Sequence, residues 1–271
     1  MGKKFFSDNL WYHFLTGEFK VPPPLFIRVL SSTLGKVYKI LPSNPHCSEC
    51  GIHMAGVGGN SLRFMGSAPS SFSSRLCSGC EKGARKHESG AEVELTMVFA
   101  DVRDSTPLAE ELGPTDFREV INRFFKETSK VLIEHDAMVN RLVGDQVIGL
   151  FVPRFAGRNH AITALEATKD LLRVTGHGEG KKPWISVGAG IHTGVAYVGA
   201  VGSGDGVNEI AVLGSAANLC ARLSSKAAAG EILISEDSVK FGNLHVDGME
   251  TRSLELKGVS QPVSVRVMTV T

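Results

Sequence analysis

The residues of this chain whose types and spacing could do chemistry are two aspartates and two Cys-x-x-Cys pairs. Asp101 ends the apolar run Met97-Val-Phe-Ala100, and Asp145 sits in the Gly-Asp pair of NRLVGDQVIGLF, between two apolar runs. A Gly-Asp pair in that setting is a hairpin signal. Where the strand ending in Asp101 lies beside that hairpin, the two carboxylates meet, and they repel unless a cation stands between them. Hard divalent ions, Mg²⁺ or Mn²⁺, take oxygen ligands and also bind phosphates. Arg103-Asp104-Ser105-Thr106-Pro107 then turns into a helix start, where free backbone N–H groups favour phosphate. Taken singly, Asp101 reads as a helix N-cap and Asp145 as a turn residue. Together they suggest a metal–polyphosphate site.

The cysteines suggest a second site. Cys47-Ser-Glu-Cys50 and Cys77-Ser-Gly-Cys80 each put two thiolates within reach of one ion, and two such knuckles complete a tetrahedral four-sulfur site. Structural Zn²⁺ is the leading expectation, with an Fe–S cluster and four unliganded thiols as alternatives. Residues 51 to 76 between the knuckles are rich in Gly and Ser. That suits a loop whose order depends on the metal, so the segment should unfold without it. His46 and His53 are close enough in sequence to substitute as ligands.

The elements that must position these groups fall into three parts. Residues 1–45 are aromatic and basic, with PPP at 22 to 24. There Phe26, Leu30, Leu34, Tyr38 and Leu41 recur at roughly helical spacing, which predicts a helix packed on the rest of the protein or on a second copy. Arg28, Lys36 and Lys39 make peripheral membrane contact the weaker alternative. Residues 46–90 form the Cys-rich metal-binding segment and a linker, with KGARKHESGAE around His87 reading as solvated chain. Residues 91–271 alternate strands and helices. A buried strand is expected over 93–102, and a helix over 115–135 with Phe117, Val120, Ile121, Phe124, Phe125, Val131 and Leu132 inward. The Asp145 hairpin follows, then a helix at about 158–174 and a second hairpin from ISVGAGIHTG and VAYVGAVG. A helix over 215–227 and strands near 231–234 and 263–270 complete the set. The order β-α-β-β-α-β predicts an α+β, ferredoxin-like plan, an antiparallel sheet with helices on one face. On it, Cys220 reads as a small buried apolar residue and His192 as a group supporting the site.

Composition narrows the function classes. With 42% hydrophobic and 21% charged residues the chain can bury a real core, and a net charge of +1 gives no basic face for nucleic acid. Five cysteines are too few for a secreted disulfide scaffold. No stretch approaches the ~20 apolar residues of a membrane-spanning helix. MGKKFFSDNLWYHF has no apolar run ending in a cleavage site, and Phe6 stands where a myristoylation signal needs Ser or Thr. A cytoplasmic protein is expected.

FADVRDST, NRLVGD, GAGIHTG and VLGSAANLCARL, in this order, resemble the catalytic domain of the class III nucleotide cyclases, over about two thirds of the chain, residues 91–271. The resemblance is to bacterial members that carry a Cys-rich segment before the catalytic domain. It implies a homodimer with two shared active sites. Each site takes its metal carboxylates from one chain and its base-reading and transition-state residues from the other. It implies that Asp101 and Asp145 hold two Mg²⁺ or Mn²⁺ ions, assisted by the Val102 carbonyl. Asn218 and Arg222, four apart on one helix face, match the transition-state pair, and Lys257 matches a triphosphate contact. Asp104, beside Ser105 and Thr106 in the phosphate loop, departs from the glycine of most members.

The base-reading positions depart as well. Purine-specific members carry lysine where this chain has Arg141, paired with an aspartate, threonine or serine where it has Ala211. Arginine offers donors only and alanine no polar group, so the pair favours an acceptor-rich base edge, uracil above all, then guanine. Antiphage pyrimidine cyclases have altered base-reading positions, and the chain resembles them in that respect. The expected reaction turns a nucleoside triphosphate into a 3′,5′-cyclic nucleotide and pyrophosphate, leaning to UTP. The alternatives are an adenylate or guanylate cyclase using ATP or GTP, a catalytically weak nucleotide-binding regulatory module, and a metal or redox sensor whose Cys segment controls the cyclase.

Overall fold

The computed structural model describes residues 2–20, 46–55, 68–70, 72–86, 89–178, 180, 182–202 and 208–270. The helix expected through Phe26 and Leu41 lies outside them, as does His87. In chain order the elements are α1 (Gly2–Thr16), α2 (Ser78–Lys86), β1 (Gly90–Val102), α3 (Ser105–Glu134), β2 (Met138–Val143), β3 (Gln146–Phe151), α4 (Pro153–Ala156) and α5 (His160–Val174). They continue with β4 (Val187–Gly202), β5 (Asn208–Leu213), α6 (Ser215–Lys226), β6 (Glu231–Ser235), α7 (Glu236–Gly242), β7 (Glu250–Leu254) and β8 (Val263–Thr269). The chain forms two compact units, one of residues 1–93, 153–155 and 197–212, the other of 94–152, 156–196 and 213–271.

The strand order is β2-β3-β1-β4-β6-β8-β7, and β5, nearly all of it in the smaller unit, pairs with β4 off that path. Its first four strands, with α3 and α5, are the expected β-α-β-β-α-β core. β1 alternates as a strand with two covered faces must. Val98, Ala100 and Val102 pack against Phe124, Val131 and Leu132 of α3 and Ala164 and Leu171 of α5.

Several expectations are corrected. The sheet is not wholly antiparallel, because β4 and β6 pair parallel, Ala189 opposite Ile232 and Ile191 opposite Ile234. Helices lie on both faces. Val187, Ala189 and Ile191 of β4 enter the core under α3 and α5. Gly190 faces the other way, where a Cβ would stand 2.4 Å from the Ser224 amide nitrogen of α6. The missing side chain lets α6 lie directly on the sheet, with Leu223 and Ala227 packed against Leu233, Val265 and Val267. The second hairpin is absent, since ISVGAGIHTG and VAYVGAVG lie in one unbroken strand, β4. Gly194, at the junction of the two segments, is there for space: a Cβ would stand 3.1 Å from His192 Nε2 and 3.2 Å from Ala216 Cβ. The helix expected from residue 115 starts at Ser105 and bends at Gly113, whose φ of 72° precedes Pro114. Residues 78–86, read largely as linker, are helical, and β5, β7 and α7 carried no clear sequence signal.

The smaller unit is organised around Arg154, directly after Pro153. Its guanidinium donates to the His13 carbonyl at 2.7 Å and to the Ser48 carbonyl, and pairs with Glu49 at 3.2 Å. Phe155 meets Phe14 edge-on at 5.9 Å, and Trp11 and Leu15 are buried beside Phe14 in α1. One arginine thus closes the end of α1 and the first cysteine knuckle together.

Candidate active site

Asp101 closes β1, opposite Gln146 in register, and Asp145 occupies the β2–β3 turn. The Val102 N–H donates to the Asp145 carbonyl at 3.2 Å, tying the turn to the strand end. Burial raises the Asp101 carboxyl above its ordinary range, Arg103 pulls it down, and the neighbouring Asp145 charge pushes it up again. The Asp145 carboxylate is therefore close enough to oppose ionisation of Asp101, the condition a cation relieves. Two carboxylates and the Val102 carbonyl make an all-oxygen donor set that fits a hard divalent ion.

Ser105, where the sequence places the phosphate side, is the first residue of α3. Asp104 before it adopts φ 54° and ψ 36°, and its side chain does not cap the helix. Ser105 and Thr106 thus open a helix whose first-turn N–H groups face no side-chain cap. The left-handed backbone at Asp104 explains why glycine suits this place in the resembling motif, and aspartate tolerates it better than most residues.

Asn218 and Arg222 lie one helical turn apart on α6, the first exposed and the second half-buried. The Arg222 guanidinium packs on Gly258, where a Cβ would stand 3.3 Å from its Nη2. The turn after β7 thereby brings the exposed Lys257 beside Arg222. Among the described residues no carboxylate pairs with Arg222, and no hydrogen bond or ion pair joins Asn218 or Arg222 to Asp101 or Asp145. The structure gathers the site residues as two half-sites, one at the end of β1 and one on α6.

Arg141 lies on β2 with its side chain outside the described structure, and Ala211 is half-buried on β5. Among the described residues, no hydrogen bond or ion pair joins the His192 side chain to the expected site residues. It is buried, its Nδ1 lies 2.8 Å from Ser235 Oγ, and burial lowers its pKa. Cys220 is buried as expected, its thiol donating to the Met97 and Gly190 carbonyls. Arg103 was not foreseen as a site residue; the signal for it was only its place between Asp101 and Asp104.

The four-sulfur site is assembled. The Sγ atoms of Cys47, Cys50, Cys77 and Cys80 all lie within 4.8 Å of one another, Cys50 and Cys77 at 3.7 Å. A tetrahedral zinc with Zn–S bonds of about 2.3 Å places its sulfurs about 3.8 Å apart. One ion therefore fits, whereas the thiolates of an Fe–S cluster bind different irons and stand wider. Hydrogen bonds from Cys50, Cys77 and Cys80 hold the Cys47 thiol well below its ordinary range, and Cys50 and Cys80 are pushed up. The Cys77 N–H points at Cys47 Sγ at 3.3 Å. His46 and His53 meet at an interplanar angle of 52° with ring centroids 4.4 Å apart and stand outside the four-sulfur set.

Residues 88–268 match the family described as "Adenylate and Guanylate cyclase catalytic domain". The chain belongs to this cyclase family. Adenylate cyclase 1 of Rhizobium meliloti is 28% identical, covering 66% of this chain and 29% of that protein. The adenylate cyclase of Anabaena cylindrica is 26% identical, covering 63% of this chain and 36% of that one. The chain thus spans about a third of the length of these curated relatives. Among solved structures, the guanylyl cyclase Cya2 is 29% identical with a TM-score of 0.58, covering 67% of this chain and 95% of that one. The adenylyl cyclase CyaB from P. aeruginosa is 27% identical with a TM-score of 0.57, covering 68% and 97%. The cyclase match includes Asp101, Asp145, Asn218, Arg222 and Lys257; all four cysteines of the sulfur site precede it. Among the described residues no helix is long and apolar enough to cross a membrane.

Proposed function

We propose that residues 91–271 form a cyclase domain that converts a nucleoside triphosphate to its 3′,5′-cyclic nucleotide and pyrophosphate, preceded by a helical segment (1–45) and a zinc-binding segment (46–90). The observation that carries this is the pair of neighbouring carboxylates, Asp101 and Asp145, at the end of β1 and in the adjacent β2–β3 turn of a cyclase fold. Two divalent ions, Mg²⁺ or Mn²⁺, held there and by the Val102 carbonyl, would polarise the 3′-oxygen and neutralise the leaving phosphates. The 3′-oxygen attacks the α-phosphorus in line. Its O–H bond breaks and the proton passes to solvent, the new O–P bond closes the ring, and the bond to the β-phosphate bridge breaks. The α3 N-terminus at Ser105 and Thr106, together with Lys257, holds the triphosphate. Asn218 orients the ribose, and Arg222 donates to the α-phosphate as charge builds there.

The two half-sites belong to different chains of a homodimer. Among the described residues of one chain, no hydrogen bond or ion pair joins Asn218 or Arg222 directly to Asp101 or Asp145, which supports this. Asp101→Ala and Arg222→Ala chains, each inactive alone, are expected to regain activity when mixed, because the heterodimer holds one intact composite site. No recovery under conditions where subunits demonstrably exchange would remove the shared site.

Arg141 and Ala211 supply donors without a side-chain acceptor, which supports UTP as the best substrate, GTP or CTP next and ATP poor. A lost hydrogen bond costs ~1–3 kcal/mol, about a tenfold to hundredfold preference. The product would be a cyclic UMP second messenger acting in the cytoplasm, in phage defence. The protein with Mn²⁺ and each of ATP, GTP, CTP and UTP in turn, with products separated by chromatography, tests activity and base together. Arg141→Lys with Ala211→Thr should move preference toward ATP. Conversion of ATP at least as fast as UTP by the unaltered chain would overturn the base assignment, and no product from any nucleotide would overturn the cyclase reading.

A further inference from the structure

Arg103 makes four side-chain hydrogen bonds, and they divide evenly between the two half-sites of its own chain. Its Nη2 donates to Asp101 Oδ2 at 2.6 Å and its Nε to the Asp101 carbonyl at 3.2 Å. Its Nη1 donates to the Ser225 carbonyl at 3.2 Å and the Ala227 carbonyl at 3.4 Å. Ser225 is in the last turn of α6, the helix that carries Asn218 and Arg222, and Ala227 is its C-cap. Carbonyls at a helix end have no partners within the helix, so a cation placed there satisfies them and complements the helix dipole. The side chain is largely buried, at 16% exposure, and its backbone N–H is bonded to the Ser186 carbonyl at 2.8 Å. The arginine is therefore held in one geometry, and its planar fork fixes the angle between the two grips.

We propose that Arg103 is a positioning residue that locks the metal-binding end of β1 to the catalytic helix α6, and so mechanically joins the two active sites of the dimer. The proposal rests on the shared-site reading above. In such a dimer the Asp101 and the Arg222 of one chain serve different sites. The fork of Arg103 then spans from a metal ligand of one site to the helix end that sets Asn218 and Arg222 of the other. Displacement of Asp101 in one site is transmitted to α6 in the second. A lysine retains the charge but cannot reach both carbonyls and both Asp101 oxygens in one plane.

The mixed dimer tests this. In a mixture of Asp101→Ala and Arg222→Ala chains, the live site takes Asp101 from the Arg222→Ala chain and Arg222 from the Asp101→Ala chain. Adding Arg103→Ala to the Arg222→Ala chain should lower kcat and raise the Mn²⁺ concentration needed for half-maximal rate. In the Asp101→Ala chain Arg103 keeps its grip on the backbone carbonyls of residues 101, 225 and 227, so adding Arg103→Ala there should also lower kcat, by about tenfold or more, with the Mn²⁺ dependence unchanged. A loss only in the first placement makes Arg103 a partner of Asp101 alone and overturns the proposal, as does no loss in either. Arg103→Lys in the same two placements should fall nearly as far as Arg103→Ala. Full activity with lysine would show that charge alone suffices and would also overturn it. Where Arg103→Ala chains do not assemble, by sedimentation, the lysine pair decides on the same criterion. If the parent mixture is inactive while subunits exchange, the shared site fails on its own. The lock is then judged in the Arg103→Lys homodimer, where kcat unchanged from the unaltered enzyme would refute it.

Discussion

Asp101→Ala and Asp145→Ala chains are expected to fold and dimerise normally yet lose about a thousandfold or more of turnover with Mn²⁺ and the best nucleotide. Each substitution removes one of the two carboxylates of the all-oxygen donor set. Neither touches the core, because Asp101 stands at the end of β1 and Asp145 in the β2–β3 turn. The two changes should differ in metal-free stability. Asp145→Ala removes a charge that pushes up the Asp101 carboxyl while leaving the Arg103–Asp101 pair intact. Its thermal midpoint without metal should therefore equal or exceed that of the unaltered chain. Asp101→Ala strips Arg103 of its ion partner and should lower it. Product formation by chromatography, with thermal unfolding by circular dichroism, reads both. Activity within tenfold of the unaltered chain in either variant would exclude the paired-carboxylate site.

Removing the sulfur-site ion is expected to have the largest structural effect. A strong chelator, or Cys47→Ser with Cys77→Ser, should disorder residues 46 to 86 and leave the cyclase sheet folded. The four sulfurs lie close enough to crowd their negative charge unless a cation is present, and metal binding supplies on the order of 10 kcal/mol of folding free energy in small zinc sites. Among the described residues of that stretch, the buried apolar side chains besides the cysteines, Met54, Phe72 and Leu76, are too few to replace it. Limited proteolysis should cut within 46–86 after chelation and not before, while the far-ultraviolet signal of the larger unit persists. One zinc per chain by elemental analysis is the expected content. Absence of stoichiometric zinc or iron, or continued protection after its removal, would refute the site.

The site was legible in the sequence to the extent that its parts are local. A strand that stops at an acid, a Gly-Asp turn between apolar runs, and Asn218 and Arg222 one turn apart on a helix are each readable within a few residues. So were the cysteine knuckles, because Cys-x-x-Cys has its geometry built into its spacing. The positions of α3, α5, α6, β6 and β8 followed from apolar periodicity of 3.6 or 2. The misread part was β4. GAGIHTG looks like turn chemistry because glycine is ambiguous: the same residue serves a left-handed backbone or makes room for a neighbour.

Only the tertiary structure resolved that ambiguity. Gly190 and Gly194 give room to Ser224 and Ala216 of α6, partners distant in sequence, and no local rule separates that use from a turn. The parallel pairing of β4 with β6 and the placing of α6 on the second face of the sheet are likewise long-range choices. They depend on which apolar faces find each other once the chain has collapsed. Arg103 shows the same division. Its charge and its place two residues after Asp101 are in the sequence. That its other hand grips the carbonyls of Ser225 and Ala227, more than a hundred residues later, depends on α6 lying against the glycine face of β4. Residue types and spacing determined which chemistry this protein can carry, because ligand identity and local geometry are written within a few positions. How the two half-sites are tied together was decided by packing, because the sheet and its glycines bring them to one arginine.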